Sequence, residues 1–196
     1  MFRFWFFFIS LISMQAFAAP NSEGIKQVND YLNSLTTLEG KFVQIAADST
    51  ISEGKFYLRR PGRIRFEYND PITTKVIADG FWVAVSDTRL KTLDRYPLSE
   101  TPLNLILKEN VNLGSEANIA SVETSGDHIR VTARDAANPD QGEIVLIFDT
   151  APIALRQWVI TDVQGLQTTI ALQNTRTNIK IEPSLFVIEE LNKAKE

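Results

Sequence analysis

Hydrolytic chemistry needs a nucleophile, a base and a group that orients the base, and this chain offers few candidates for any of them. It holds one histidine, His128, and no cysteine. His128 follows Asp127, so the pair could supply a general base and its orienting carboxylate. It sits at Gly126-Asp127-His128, however, where a hairpin turn hands over to a strand, and adjacent strand residues point to opposite faces. A solvated turn histidine is the expectation, with a hydrolase as its rival. Glu189-Glu190 is the obvious carboxylate pair, yet it lies among Lys193 and Lys195. A glycosidase dyad needs two carboxyls facing each other across a cleft, so a charged, solvated tail is expected instead. No Gly-x-Ser-x-Gly elbow, His-Glu-x-x-His pair or glycine-rich phosphate loop occurs. Without cysteine there is no disulfide, thiolate nucleophile or zinc-thiolate site. The expectation is a non-enzyme with no metal and no cofactor.

One stretch does carry a chemical signal. Arg59-Arg60-Pro61-Gly62-Arg63-Ile64-Arg65-Phe66-Glu67-Tyr68 places four arginines around a hairpin whose alternate residues are apolar. The plain reading is a basic strand face paired with acidic neighbours, with Arg63 and Arg65 in solvent. Arg60 precedes a proline, where the backbone is held extended. Its planar five-donor guanidinium could hold several carbonyl oxygens at once and so latch a loop or helix over one end of a sheet. Residue chemistry alone leaves latch and salt bridge open.

The elements that must position these residues are mostly strands. From Ser22 to Leu35, Ile25, Val28, Leu32 and Leu35 line one stripe of a helix that Asn21 or Ser22 can cap. After Leu38 the period changes to alternation: Gly54, Phe56 and Leu58 against Lys55, Tyr57 and Arg59, then Ile64, Phe66 and Tyr68 against Arg63, Arg65 and Glu67. Turn signals follow at Pro61-Gly62, Asn69-Asp70-Pro71, Asp79-Gly80, Gly126-Asp127, Asn138-Pro139 and Gln164-Gly165, each too short for a parallel crossover. Later strands are expected at Ile144 to Phe148, Leu155 to Val163, Gln167 to Gln173 and Leu185 to Ile188. Thr101-Pro102 reads as the cap and first-turn proline of a short helix to Lys108, with Leu103, Ile106 and Leu107 clustered on it. About eleven strands and two or three short helices imply one large antiparallel sheet, which must close, split or curl. A curled sheet with a helical lid would enclose an apolar cavity; a fully packed barrel or sandwich is the alternative.

Large apolar residues are unevenly spread along the 196 residues. Of 12 Phe, six fall at Phe2, Phe4, Phe6, Phe7, Phe8 and Phe17, beside Trp5. With Arg3, the apolar run to Ile12 and the small-x-small Ala16-Phe17-Ala18, they form a secretory signal peptide over residues 1–18, an uncleaved anchor being the alternative. The run is short of the roughly 20 residues a membrane span needs. Residues 19–196 then form a single domain with a core of its own. Without Arg3 that domain has 19 basic against 24 acidic residues, a formal charge of −5. An acidic balance demotes nucleic-acid binding. No cysteine follows the cleavage site to be acylated, so a soluble periplasmic product is expected. The six remaining phenylalanines, Phe42, Phe56, Phe66, Phe81, Phe148 and Phe186, all lie in strand-like runs.

Taken in order, the chain resembles the periplasmic outer-membrane lipoprotein carrier (LolA) family. The resemblance rests on the leader, the first helix, Phe42-Val43-Gln44, Gly54-Lys55-Phe56-Tyr57-Leu58 and Arg60-Pro61-Gly62-Arg63-Ile64-Arg65-Phe66-Glu67-Tyr68. Pro71, Asp79-Gly80, Thr101-Pro102-Leu103, Leu105 to Leu107, Asp162-Val163-Gln164-Gly165, Asn174 and Phe186 continue it. It implies a mainly β fold, an unclosed antiparallel β-barrel with a short helical lid over an apolar cavity for acyl chains. It also implies a monomeric carrier that receives triacylated lipoproteins from an inner-membrane ABC transporter and passes them to an outer-membrane acceptor. Arg60 falls on the family's lid-closing arginine, and Ile64 and Phe66 on cavity-facing positions. The candidate cavity residues are Phe42, Phe56, Leu58, Ile64, Phe66, Tyr68, Val83, Leu103, Ile106, Leu107 and Phe148. A periplasmic phospholipid shuttle, or a lipid- or lipoprotein-sensing module of the same fold, is the alternative function.

Departures from the family pattern are local. Ala84 and Ser86 stand where an aromatic pair is usual, and Phe81 and Trp82 come earlier, which would reshape the cavity wall. The usual proline-glycine ending is missing after Phe186. The stretch from Asp94 to Leu103 looks like an alphaproteobacterial branch of the family, in which an outer-membrane receptor is not always evident.

Overall fold

The computed structural model describes residues 22–188. The expected leader and cleavage site, the capping candidate Asn21 and the Glu189-Glu190 pair lie outside those residues. The chain runs α1 (Ser22–Ser34), β1 (Thr37–Ile45), β2 (Ile51–Arg59), β3 (Arg63–Tyr68), β4 (Thr74–Asp79), β5 (Trp82–Asp87) and β6 (Thr92–Pro97). It continues through α2 (Asn104–Leu107), α3 (Leu113–Glu116), β7 (Ala117–Ser125), β8 (His128–Asp135), β9 (Glu143–Thr150), β10 (Ile153–Thr161) and β11 (Gln167–Thr177).

All eleven strands form one antiparallel sheet in the order β6-β5-β4-β3-β2-β1-β11-β10-β9-β8-β7. The edges β6 and β7 do not pair, so the sheet is an unclosed barrel, and β1 joins β11 at its centre with Phe42 opposite Leu172. Register carries one face across the strands: Phe42 faces Gly54, Phe56 faces Phe66, and Phe66 faces Val76. Alternation therefore gathers one apolar set on the concave side. Gly54 is required there, because a Cβ at that position would meet the Glu67 carbonyl oxygen at 2.0 Å and the Phe42 ring at 2.8 Å.

The helix α1 covers the β7 and β10 region of the concavity with Val28 and Leu32 buried, and Tyr31 stands edge-on to Phe148 at 5.8 Å. Its polar side is also used. The Asn33 side-chain amide donates to the Val111 carbonyl at 2.9 Å and accepts from the Val111 N–H at 2.8 Å, while the Asn29 side chain accepts from the Leu113 N–H at 3.1 Å. These bonds tie the segment between α2 and α3 to α1. Asn33→Ala is expected to lower stability by about 1–3 kcal/mol in urea denaturation, because the N–H and the C=O of the buried Val111 both lose their partner. A loss below about 0.5 kcal/mol would mean that water replaces the pair.

Three sequence expectations change. Thr101 does not cap α2: its hydroxyl donates to the Leu98 carbonyl at 2.9 Å, closing a 3-10 turn over Leu98–Glu100, and the helix starts at Asn104. The expected strand from Leu185 to Ile188 is instead a 3-10 turn, Pro183–Phe186, packed on the outer side of β3 and β4. Pro183 at the first turn favours this outcome over a strand. It covers Ile77, which alternation points outward yet which is buried. Phe81, expected within a strand, is a turn residue that is 81% exposed, because Asp79 Oδ1 accepts the N–H groups of both Phe81 and Trp82 at 2.9 Å.

Candidate functional site

The concave face carries a part-open apolar cavity of about 440 Å³. Phe66, Tyr68, Val76, Val83 and Tyr96 on β3 to β6 form one wall, and Trp158, Ile160, Thr168 and Ile170 on β10 and β11 form the opposite wall. Gln44 contributes from β1, and Glu100, Thr101, Pro102 and Leu103 form the roof. Gln141, Asp162 and Val163, from the turns beside β9 and β10, complete the lining. Few lining groups seek a polar partner from a guest: the Tyr68 hydroxyl donates to Gln44 Oε1 at 2.7 Å, and Asp162 Oδ1 accepts from the Gln164 and Leu166 N–H groups at 2.8 and 2.9 Å. Burial raises the Tyr68 pKa above its ordinary value, opposed by the bond to Gln44. The lining is mostly apolar, which suits a flexible hydrocarbon better than a sugar or nucleotide.

Of the eleven residues the sequence put forward, Phe66, Tyr68, Val83 and Leu103 line this cavity. Phe42, Phe56, Leu58, Ile64, Ile106, Leu107 and Phe148 do not: they are fully buried in the continuous core beside it. The aromatic members interlock, Phe42 standing edge-on to Phe66 at 5.0 Å and Phe66 edge-on to Trp158 at 6.2 Å. Sequence reasoning missed the wall from β10 and β11. Alternation within those strands carried the signal, but which side of a curled sheet is roofed depends on its curvature.

The roof continues through α2 to Glu109, and this end of it is fastened at the hairpin between β2 and β3. Arg60 Nε donates to the Lys108 carbonyl at 3.0 Å, and one terminal nitrogen donates to the same oxygen and to the Glu109 carbonyl at 3.2 Å. The Gly62 N–H donates to the Leu107 carbonyl at 2.8 Å. Carbonyls at the C-terminal end of α2, which have no partner within the helix, thus receive donors from one hairpin. Gly62 has φ +75°, and a Cβ on it would stand 2.7 Å from Gly80 Cα, so the neighbouring turns pack backbone to backbone. Burial lowers the Arg60 pKa from its ordinary value. Arg65, expected in solvent, instead pairs with Glu67 and donates to the Leu185 carbonyl at 2.9 Å, holding the Pro183–Phe186 turn on the outer face. Trp82 also lies on that outer side, in a second groove with Arg59 and Arg63, and so is no part of the cavity wall.

His128 begins β8 with its side chain 60% exposed, 3.3 Å from Asp149 rather than from Asp127. Asp149 also pairs with Arg156. This is a surface charge group, and none of its three members lines the cavity. Among the described residues no group of three or more acidic, histidine or cysteine side chains could hold a metal ion, and no helix is long and apolar enough to cross a membrane.

Comparison with known proteins agrees with this architecture. An outer-membrane lipoprotein carrier protein of Halorhodospira halophila is 27% identical over 174 residues, covering 84% of this chain and 81% of its own length. A protein of the same name from Methylococcus capsulatus is 25% identical over 182 residues, covering 88% and 84%. A DUF1329 family protein from Desulfovibrio piger shares the fold, with a TM-score of 0.54 at 12% identity over 86% of this chain and 97% of that one. The family profile described as outer membrane lipoprotein carrier protein LolA matches residues 33–189, all eleven strands together with the roof, and the chain therefore belongs to the LolA family.

Proposed function

We propose that this protein is a periplasmic carrier that shields the acyl chains of triacylated lipoproteins and moves them from the inner to the outer membrane. The observation that carries the reading is an apolar cavity whose roof is tied to the β2–β3 hairpin by Arg60. Each methylene left in water costs about 0.8 kcal/mol, so an acylated protein cannot cross an aqueous space unshielded. A carrier must also let go, which requires a closed empty state that competes with cargo. On this reading the leader over residues 1–18 is removed, residues 19–196 act as one monomeric domain, and Arg60 is the latch. Acyl chains enter by lifting the roof and parting the core around Phe42, Phe56, Leu58, Ile64, Ile106, Leu107 and Phe148. An inner-membrane ABC transporter supplies the cargo and an outer-membrane acceptor receives it.

Depletion of the protein in its host, followed by membrane separation, tests the proposal. Lipoproteins normally found in the outer membrane should accumulate in the inner one. Unchanged sorting would overturn it, and native mass spectrometry of protein taken from the periplasm, showing phospholipid instead of lipoprotein, would favour a lipid shuttle.

A further inference from the structure

We infer that the cavity discriminates by head-group charge, accepting acyl anchors with neutral or cationic heads and rejecting those that carry a phosphate. The inference rests on the acyl-chain reading above and names the class of cargo that reading leaves open. The cavity lining includes two carboxylates, Glu100 and Asp162, and neither lysine nor arginine. The same division runs through β2 to β6. On β2 to β6 the basic residues Lys55, Arg59, Arg63, Arg65, Lys75 and Arg95 all take the alternate positions that point away from the cavity. Asp94, by contrast, lies two residues before the lining residue Tyr96 and shares its face. A strand sequence rich in arginine has thus been folded so that its cations lie outside, while two carboxylates join the cavity lining.

The acyl anchor of a lipoprotein is a cysteine with a thioether-linked diacylglycerol and an amide-linked third chain, and none of these groups is charged. A phosphatidylglycerol offers similar chains with a diester anion where they meet. Seated in this cavity, that anion would stand near Glu100 and Asp162 with no cation from the lining to offset them. Two unit charges about 7 Å away in a water-like medium disfavour it about tenfold. Apolar burial supplies affinity for either ligand, and the two carboxylates separate them.

The test is displacement of neutral 1-aminoanthracene from the purified protein by lipids with identical dioctanoyl chains: the uncharged diacylglycerol, phosphatidylglycerol, and the trimethylammonium-propane analogue. An uncharged triacylated cysteinyl-serine amide is the fourth ligand. The triacylated peptide, the diacylglycerol and the cationic lipid should bind, with phosphatidylglycerol about tenfold weaker at low ionic strength. The gap should close in about 0.5 M salt, where screening acts within a few ångströms. It should also close in Glu100→Gln/Asp162→Asn, in which the amide oxygen preserves the turn bonds of Asp162. Equal affinity for the anionic and uncharged lipids, or a gap that survives the double substitution, would overturn the inference. Failure of all four ligands to bind would instead overturn the carrier reading itself.

Discussion

An Arg60→Leu carrier should bind acyl chains more tightly than the parent protein and deliver them poorly. In the closed state the guanidinium holds the Lys108 and Glu109 carbonyls, and leucine offers no donor to replace it. Hydrogen bonds from a charged donor contribute about 1.5–3 kcal/mol. Withdrawing that stabilisation from the empty, closed form shifts the population toward the open form by about ten- to a hundredfold, and apparent affinity for cargo rises in proportion. Release suffers for the same reason, because closure no longer competes with the bound chains. Only one of the roof's fastenings is lost: the Gly62 N–H still bonds Leu107, and Asn33 still holds Val111, so the variant should fold. Probe affinity and single-round transfer of a fluorescent triacylated peptide to acceptor vesicles would be measured together. Normal transfer with unchanged affinity would remove Arg60 from the mechanism.

Phe42→Ala should cost about 3–5 kcal/mol in chemical denaturation. Phe42 is 1% exposed at the junction of β1 with β2 and β11, edge-on to Phe66 at 5.0 Å and to Tyr68 at 5.2 Å. Gly54 opposite it has no side chain to collapse into the void. Val83→Ala, by contrast, removes a half-buried group from the cavity wall and should cost less than about 1.5 kcal/mol. The pair of measurements separates core from cavity. Similar small losses for both would mean that Phe42 faces space rather than packed side chains.

The arginine at the β2–β3 hairpin was legible in the sequence, because its position next to Pro61 and its donor geometry are local properties. So was the strand count, which follows from alternation and turn residues that act within a few positions. The partner of Arg60 was not local: Lys108 and Glu109 lie 48 and 49 residues away, and only the packing of α2 under the sheet's rim brings their carbonyls there. The Gly62 N–H was invisible for another reason, since every residue but proline has that donor and sequence does not mark which one is used. Phe81 and Phe186 show the limit of composition. Both were apolar residues in strand-like runs, yet an Asp79-centred turn left one in solvent and a proline-started 3-10 turn buried the other on the outer face.

The cavity shows the same division. Alternation determines that Phe56, Ile64, Phe66 and Tyr68 share a face, because the two-residue repeat of a strand is built into the backbone. It cannot determine where that face is packed and where it is open, since this depends on how far the sheet curls and which segment roofs it. The curl brought Trp158, Ile160 and Ile170 across to meet Phe66 and Val83, and set the remaining candidates into solid core. From sequence alone came one large antiparallel sheet, its inward set and a poised arginine. Tertiary structure decided which of the inward residues touch empty space, because a void is a property of surfaces brought together from distant parts of the chain.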